Sequence, residues 1–257
     1  MNLPSRQIII AFLATSSLFA QAPKATNASA SPTRMSVSDW MCMGDNDKKF
    51  GPADSGDATV FSGEGFGDKG RSVAAFFPET TLSEGQSLTV SARITFTGVH
   101  YFGTFKFGLF QSASRTKDAG WVGYCAFAGS DKFFPKGGLF ASEPGNKNYF
   151  GAATEHIIAE STTPQRKSKD ERFLFNVKDE EYLIQMSLTL LSGNKIACKF
   201  EMAPESNPAN LLVSYEGVDD ASSTTTFDAL GFAFHQVLSP DSVEFRDVAV
   251  EVSPGQK

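Results

Sequence analysis

The chain has little of what catalytic sites are usually built from. Its 257 residues include only three cysteines, three histidines and two tryptophans. No C-x-x-C spacing predicts a zinc site, no G-x-S-x-G elbow predicts a serine nucleophile, and the histidines are too scattered to predict a metal triad. No long basic run exists and the formal net charge is −6, so nucleic acid is not an expected partner.

The odd number of cysteines leaves at least one thiol unpaired. Cys125 and Cys198 each share the apolar face of an alternating segment, which predicts small core residues. A bridge between Cys42 and Cys125 stays open as an alternative.

The N-terminal segment has the pattern of a secretory signal peptide. Arg6 precedes an apolar core from Ile8 to Phe19, and small residues follow. The apolar stretch is shorter than the roughly 20 residues that cross a bilayer. We therefore expect a signal peptide over 1–22, a flexible leader over 23–35, one domain over 36–252 and a tail over 253–257. The expected location is secreted or periplasmic, with no membrane span.

Phenylalanine is abundant, with 24 copies, and most lie at alternate positions of short segments. Side chains on a strand point to opposite faces in turn, so the pattern predicts sheets with one buried face. The predicted strands are Arg71–Phe77, Leu88–Thr97, Phe102–Phe110, Trp121–Ala128, Phe173–Val177, Tyr182–Leu190, Ile196–Met202, Leu211–Tyr215, Leu230–Phe234 and Val243–Val252. The only helix expected is one turn within Thr154–Glu160. These patterns predict an all-β fold of two packed antiparallel sheets.

Two local features add detail. Ser192-Gly193-Asn194 separates two alternating segments, which is typical of a hairpin. The apolar phase slips by one residue at Arg246-Asp247, which predicts a β-bulge there or a corner between sheets. Either way, the slip assigns Asp247 a structural role.

Three short segments carry a resemblance to a known superfamily. Phe107-Gly108-Leu109-Phe110, Gly123-Tyr124 and the closing pair Leu230–Phe234 with Val243–Val250 are similar to strands of the concanavalin A-like lectin/glucanase superfamily, in its laminin-G-like branch. The resemblance spans Ser87 to Val252 and implies an antiparallel jelly-roll β-sandwich. It implies a non-catalytic glycan-binding or cell-surface recognition domain, with a polysaccharide or glycoconjugate as partner. The superfamily also contains glucanases and polysaccharide lyases, and fold alone does not decide among them.

The enzymatic alternatives require particular residues. The E-x-D-x-x-E triplet of the laminarinase-type branch is absent, which argues against that hydrolase family. A lyase acting on an acidic polysaccharide would need Arg93, Gln185 and either His235 or Tyr124 around one groove. The alternative is that these are the outward residues of half-buried strands. A structural envelope domain is a third reading.

Aromatic residues near loops are the candidate sugar-stacking groups. They are Tyr101, Trp121, Tyr124, Phe133, Phe134 and Tyr149. Core packing is the alternative for Trp121. The candidate ligands for a structural calcium ion are Asp45, Asp47, Asp54 and Asp57, because calcium prefers oxygen donors. Acidic glycine-rich loops are also ordinary turns.

Overall fold

The computed structural model describes residues 33–34, 40–42, 50–55, 58–63, 72–98, 103–112, 121–128, 138–142, 156–160, 180–236 and 242–254. The strands are β1 (Thr33–Arg34), β2 (Trp40–Cys42), β3 (Phe50–Ser55), β4 (Ala58–Gly63), β5 (Ser72–Thr81), β6 (Ser87–Thr97), β7 (Gly103–Gln111), β8 (Val122–Ala128), β9 (Gly138–Ser142), β10 (Ile157–Glu160), β11 (Glu181–Leu191), β12 (Lys195–Pro204), β13 (Val213–Asp219), β14 (Thr226–Gln236) and β15 (Ser242–Ser253).

The strands form two antiparallel sheets. Sheet A has eight strands in the order β13-β12-β11-β6-β15-β4-β3, with β1 also paired to β15. Sheet B has seven strands in the order β10-β9-β8-β7-β14-β5-β2. No helix occurs in the described residues, and so none there could cross a membrane. The predicted all-β jelly-roll sandwich is confirmed.

The alternating pattern places the main core between the sheets. Along β6 every second residue from Leu88 to Phe96 is buried, and β11 and β12 repeat that alternation. The intervening residues face outward from sheet A. Burial of these apolar side chains supplies the main driving force for packing the sheets together.

A second apolar layer lies on the other face of sheet B. Phe110, Trp121, Cys125, Phe127 and Phe140 are all buried there. The core assignment of Cys125 is therefore confirmed, and Cys198 lies in the main core as predicted. Burial raises the pKa of the Cys125 thiol to about 12.

The Cys42–Cys125 alternative is wrong. Cys125 is a free thiol on β8. Cys42 belongs to β2, four strand positions away in sheet B. Four steps at about 4.8 Å each separate the strands by roughly 19 Å, whereas disulfide Cα atoms lie within about 7 Å of each other.

The structure confirms the hairpin and decides the nature of the phase slip. Leu191 pairs with Lys195 around the turn, where Gly193 and Asn194 have φ values of 75° and 59°. In β15 the register against β6 shifts between Arg246 and Ala249. Both halves of β15 stay paired to β6, so the slip is a bulge and not a corner between sheets.

Two further expectations need comment. Ile157–Glu160 is the strand β10, so the expected helical turn is wrong over those residues. Their backbone pairs with β9, and β10 also packs against β13, which closes that side of the sandwich. Tertiary pairing overrides a weak local preference here. The predicted strand Phe173–Val177 lies outside the described residues.

Candidate functional site

The outer face of sheet A carries rows of polar side chains that cross neighbouring strands. Ser87 pairs with Thr189 through hydroxyl groups 2.7 Å apart, and Thr89 pairs with Ser187 at 3.0 Å. The alternation of β6 and β11 places these residues outward. Hydroxyls directly opposite each other bond to one another, so each of these four groups already has one partner within the protein.

The next row along the strands is different. Ser91 lies opposite Gln185, and Gln185 lies opposite Glu201, so three polar residues cross β6, β11 and β12. Here a pocket of about 190 Å³ opens, lined also by Arg93 and Asp247. We call it the outer-face pocket.

The outer-face pocket offers unused hydrogen-bonding groups. Within the described part of the chain, the Ser91 hydroxyl and the Gln185 carboxamide have no protein partner. Gln185 can both donate and accept hydrogen bonds, as can Ser91. The site thus presents donors and acceptors to solvent at one place, beside rows whose groups are already paired.

Arg93 organises the charges at one end of the pocket. Its Nη1 contacts the carboxylates of Glu181, at 3.4 Å, and Glu205. Its Nε lies 3.2 Å from Oδ2 of Asp247. Among the described residues, Nη2 has no partner. The guanidinium charge is therefore shared by three carboxylates while one donor group stays available.

The crowding of carboxylates affects proton binding. A hydrogen bond with Glu205 is the main cause that raises the pKa of Glu181, with burial and the Glu205 charge adding to it. Arg93 and Arg246 act in the opposite direction. The charged form of Glu181 is thus disfavoured relative to an isolated glutamate.

The bulge explains how Asp247 reaches the pocket. Asp247 has a φ of 49°, in the left-handed region that a non-glycine residue rarely adopts. Two residues of β15, Asp247 and Val248, stand between the Arg246 and Ala249 pairs opposite the single residue Ala92, so β15 has one extra residue there. Both Arg246 and Asp247 are exposed, and Val248 returns to the core. The structural role of Asp247 at the kink thus includes an ion pair with Arg93.

A buried polar network lies elsewhere, where β13 ends. The Asp219 side chain is 1% exposed. Its Oδ2 accepts a hydrogen bond from the Tyr124 hydroxyl at 2.9 Å, and its Oδ1 accepts from the Ala221 amide at 3.1 Å. Nε2 of His156 lies 3.2 Å from Oδ1. Tyr124 lies on β8 of sheet B, His156 directly precedes β10 of the same sheet and Asp219 lies on β13 of sheet A, so the network joins the sheets.

The lyase constellation is not assembled. Arg93 and Gln185 line the outer-face pocket of sheet A. Tyr124 is 1% exposed and packs in the core between the sheets, where burial raises its pKa strongly. The backbone of His235 is on β14 of sheet B, opposite Thr104. The proposed proton carriers thus belong to the other sheet, and the grouping is wrong.

Two of the proposed sugar-stacking residues are also wrong. Trp121 is 0% exposed in the second apolar layer, as the core-packing alternative predicted. Tyr124 offers no free ring face, because it packs in the main core with its ring centroid 6.2 Å from that of Phe227. Tyr101, Phe133, Phe134 and Tyr149 lie outside the described residues.

The calcium prediction remains a hypothesis. Asp54 lies on β3 opposite Thr59, and Asp45, Asp47 and Asp57 lie outside the described residues. In the described ranges, no group of three His, Cys, Asp or Glu side chains could hold a metal ion.

Ser91 and Glu201 line the pocket but were not predicted as site residues. Both occupy outward positions of alternating strands, so their exposure was predictable. Their alignment with Gln185 depends on the β6–β11–β12 register, which no local motif specifies. The Asp219 network had no sequence signal, because its members are far apart in the chain.

Comparison with solved structures identifies the fold. The metal-free carbohydrate recognition domain of Emp46p is 12% identical, with a TM-score of 0.51, covering 86% of this chain and 90% of that one. The corresponding domain of Emp47p is 11% identical with a TM-score of 0.49, covering 87% and 92%. Metal-free lectin I-B4 from Griffonia simplicifolia is 9% identical with a TM-score of 0.47, covering 84% and 93%.

The chain therefore has the concanavalin A-like lectin fold, and the resemblance found in the sequence is confirmed at the level of fold. No protein-family model and no curated protein matches the sequence. At 12% identity the likeness to the Emp46p domain concerns the fold alone.

Proposed function

We propose that this protein is an exported, non-catalytic glycan-binding domain that holds its ligand at the outer-face pocket. The observation that carries the proposal is the polar row of Ser91, Gln185 and Glu201, in which the Ser91 hydroxyl and the Gln185 carboxamide have no partner among the described residues, whereas the hydroxyls of the neighbouring rows are paired. The fold supports it, because the similar Emp46p structure is a carbohydrate recognition domain.

The pocket has the chemistry that sugar hydroxyls require. A pyranose presents several hydroxyls, each of which donates one hydrogen bond and accepts others. Gln185 and Ser91 both donate and accept, Nη2 of Arg93 donates, and Glu201 and Asp247 accept. The pocket is open and shallow, so we expect weak binding to a terminal or internal sugar and avidity from repeated units.

The competing functions are less well supported. A polysaccharide lyase needs a proton carrier beside Arg93 and Gln185, and Tyr124 is buried while His235 lies on the other sheet. A structural envelope domain requires no available polar row, so it leaves the outer-face pocket unexplained.

The proposal is tested with a glycan array, together with ultraviolet monitoring for unsaturated products on uronic-acid polymers. We expect binding without product formation, and we expect Gln185→Ala to reduce it at least fivefold. Thr189→Ala is the matched control, because Thr189 lies on the same face of β11 but in a paired row. Product formation would favour the lyase. No binding and no product formation, or an equal loss of glycan affinity in the two variants, would refute binding at this pocket.

Export and calcium complete the proposal. The pattern of Arg6 and the apolar segment Ile8–Phe19 supports passage through a secretory route. N-terminal sequencing of the exported protein should find a mature start after Ala20, Ala22 or Ala30, the three small residues that offer a cleavage point. A calcium ion held by aspartates such as Asp54 and Asp57 would add oxygen ligation near β3. Addition of calcium after chelation should then raise the thermal midpoint of the wild type and not that of Asp57→Asn.

A further inference from the structure

We infer that the outer-face pocket selects glycans by charge, favouring amino sugars over neutral sugars and rejecting uronic acids, with Asp247 as the main determinant. This inference rests on the proposed function. A lyase would act on an anionic glycan, whereas this inference predicts a preference for a cationic one.

The local charge balance is the first argument. Four carboxylates line or flank the pocket, from Glu181, Glu201, Glu205 and Asp247. Two cations oppose them, Arg93 and Lys199, whose Nζ is 2.9 Å from Glu201. Arg246 contacts Glu244 and also acts on Glu181, and the two residues Arg246 and Glu244 together add no net charge. The cluster as a whole has a formal charge of −2.

The state of Arg93 is the second argument. A uronate is usually held by an arginine whose fork is open for two parallel hydrogen bonds. Here Nε and Nη1 already contact Asp247, Glu181 and Glu205, and only Nη2 is available. A uronate carboxylate would meet three carboxylates around a single open donor, and the site would repel it.

The position of Asp247 is the third argument. Its side chain is 60% exposed, more than those of Glu181 and Glu205 at 21% and 36%, so its carboxylate is the most accessible to a ligand. Only Oδ2 is engaged, by Nε of Arg93. Among the described residues Oδ1 has no partner, and it can accept from the ammonium group of a glucosamine-type ring.

The experiment uses matched tetrasaccharides of β-1,4-linked glucosamine, N-acetylglucosamine, glucose and glucuronic acid, with the corresponding galactose series on the same array. One ion pair near a protein surface at moderate salt changes affinity on the order of fivefold. For whichever glycan series binds, we expect the affinity for the amino-sugar tetrasaccharide to exceed that for the neutral ones by about that factor. The uronate form should show no binding. The preference should shrink as salt rises from 50 to 500 mM.

Asp247→Asn isolates the charge while keeping a side chain suited to left-handed φ. It should lower the ratio of amino-sugar affinity to neutral-sugar affinity to near one, and this ratio is the readout because Asp247 also accepts from neutral hydroxyls. Glu84→Gln is the control, because Glu84 is an exposed acid in the turn before β6. Uronate binding equal to or tighter than neutral binding would overturn charge selection while leaving the proposed function standing. Absence of binding to every sugar would overturn both.

Discussion

Replacing Tyr124 by phenylalanine should destabilise the fold by about 1.5–3 kcal/mol, the range of a hydrogen bond to a charged group. The Tyr124 hydroxyl lies 2.9 Å from both Oδ2 of Asp219 and Oγ of Ser222, and it donates to the carboxylate because a charged oxygen is the stronger acceptor. This Oδ2 has no other protein partner within the described residues. The Asp219 side chain is 1% exposed, so water cannot easily replace the donor. The substitution leaves a buried carboxylate oxygen unsatisfied, which accounts for the size of the effect.

Tyr215→Phe is the matched comparison. Its hydroxyl also joins the sheets, donating to the neutral carbonyl of Phe127 at 2.9 Å. A bond to a neutral acceptor contributes about 1 kcal/mol. Urea denaturation can be followed by fluorescence, because both tryptophans, Trp40 and Trp121, are buried. Equal losses in the two variants would refute the reasoning that the Asp219 charge makes the Tyr124 bond the stronger one.

Three other perturbations test the account. Glu181→Gln should flatten the pH dependence of stability. In the wild type the hydrogen bond with Glu205 raises the pKa of the Glu181 carboxyl above 4.5 in the folded state. Protonated Glu181 therefore stabilises the fold below pH 4.5, and this stabilisation is lost as pH rises through the folded-state pKa. Denaturation between pH 4 and 7 measures this, and identical slopes would contradict it. Deleting Arg246 should lower the thermal midpoint, because both halves of β15 pair with β6 only when the extra residue of the bulge is present. An unchanged midpoint would contradict this. Gly123→Ala should prevent folding or cost more than 3 kcal/mol, because its Cβ would lie 2.1 Å from the Leu109 carbonyl oxygen; urea denaturation that gives the wild-type free energy of unfolding would contradict it.

The sequence predicts the fold well because the fold depends on local alternation. The segments containing Leu88–Thr97 and Tyr182–Leu190 have period-two burial over their whole length, and the strands β6 and β11 match it within a few residues. Strands β1 to β4, β9 and β10, each of six residues or fewer, were not predicted. Segments this short carry too little periodicity, and β10 owes its conformation to β9 and β13.

The candidate site was predicted only in part. Arg93 and Gln185 were found because they are polar residues on half-apolar strands, and they do line one pocket. Tyr124 was grouped with them by the same reasoning. Its apolar ring favours burial, however, and its hydroxyl finds a hydrogen-bond partner in Asp219 within the core. Which sheet and which face a residue occupies depends on strand order, and strand order is a long-range property.

The most direct test of glycan binding at the outer-face pocket is a ¹H–¹⁵N nuclear magnetic resonance titration with the best ligand from the array. We predict saturable shifts centred on the Gln185 side-chain amide and the backbone amides of Ser91 and Asp247. The amides of Ser87 and Thr189, in the paired row, should stay unchanged. Shifts centred away from these pocket residues, or no shifts at millimolar ligand, would contradict the account.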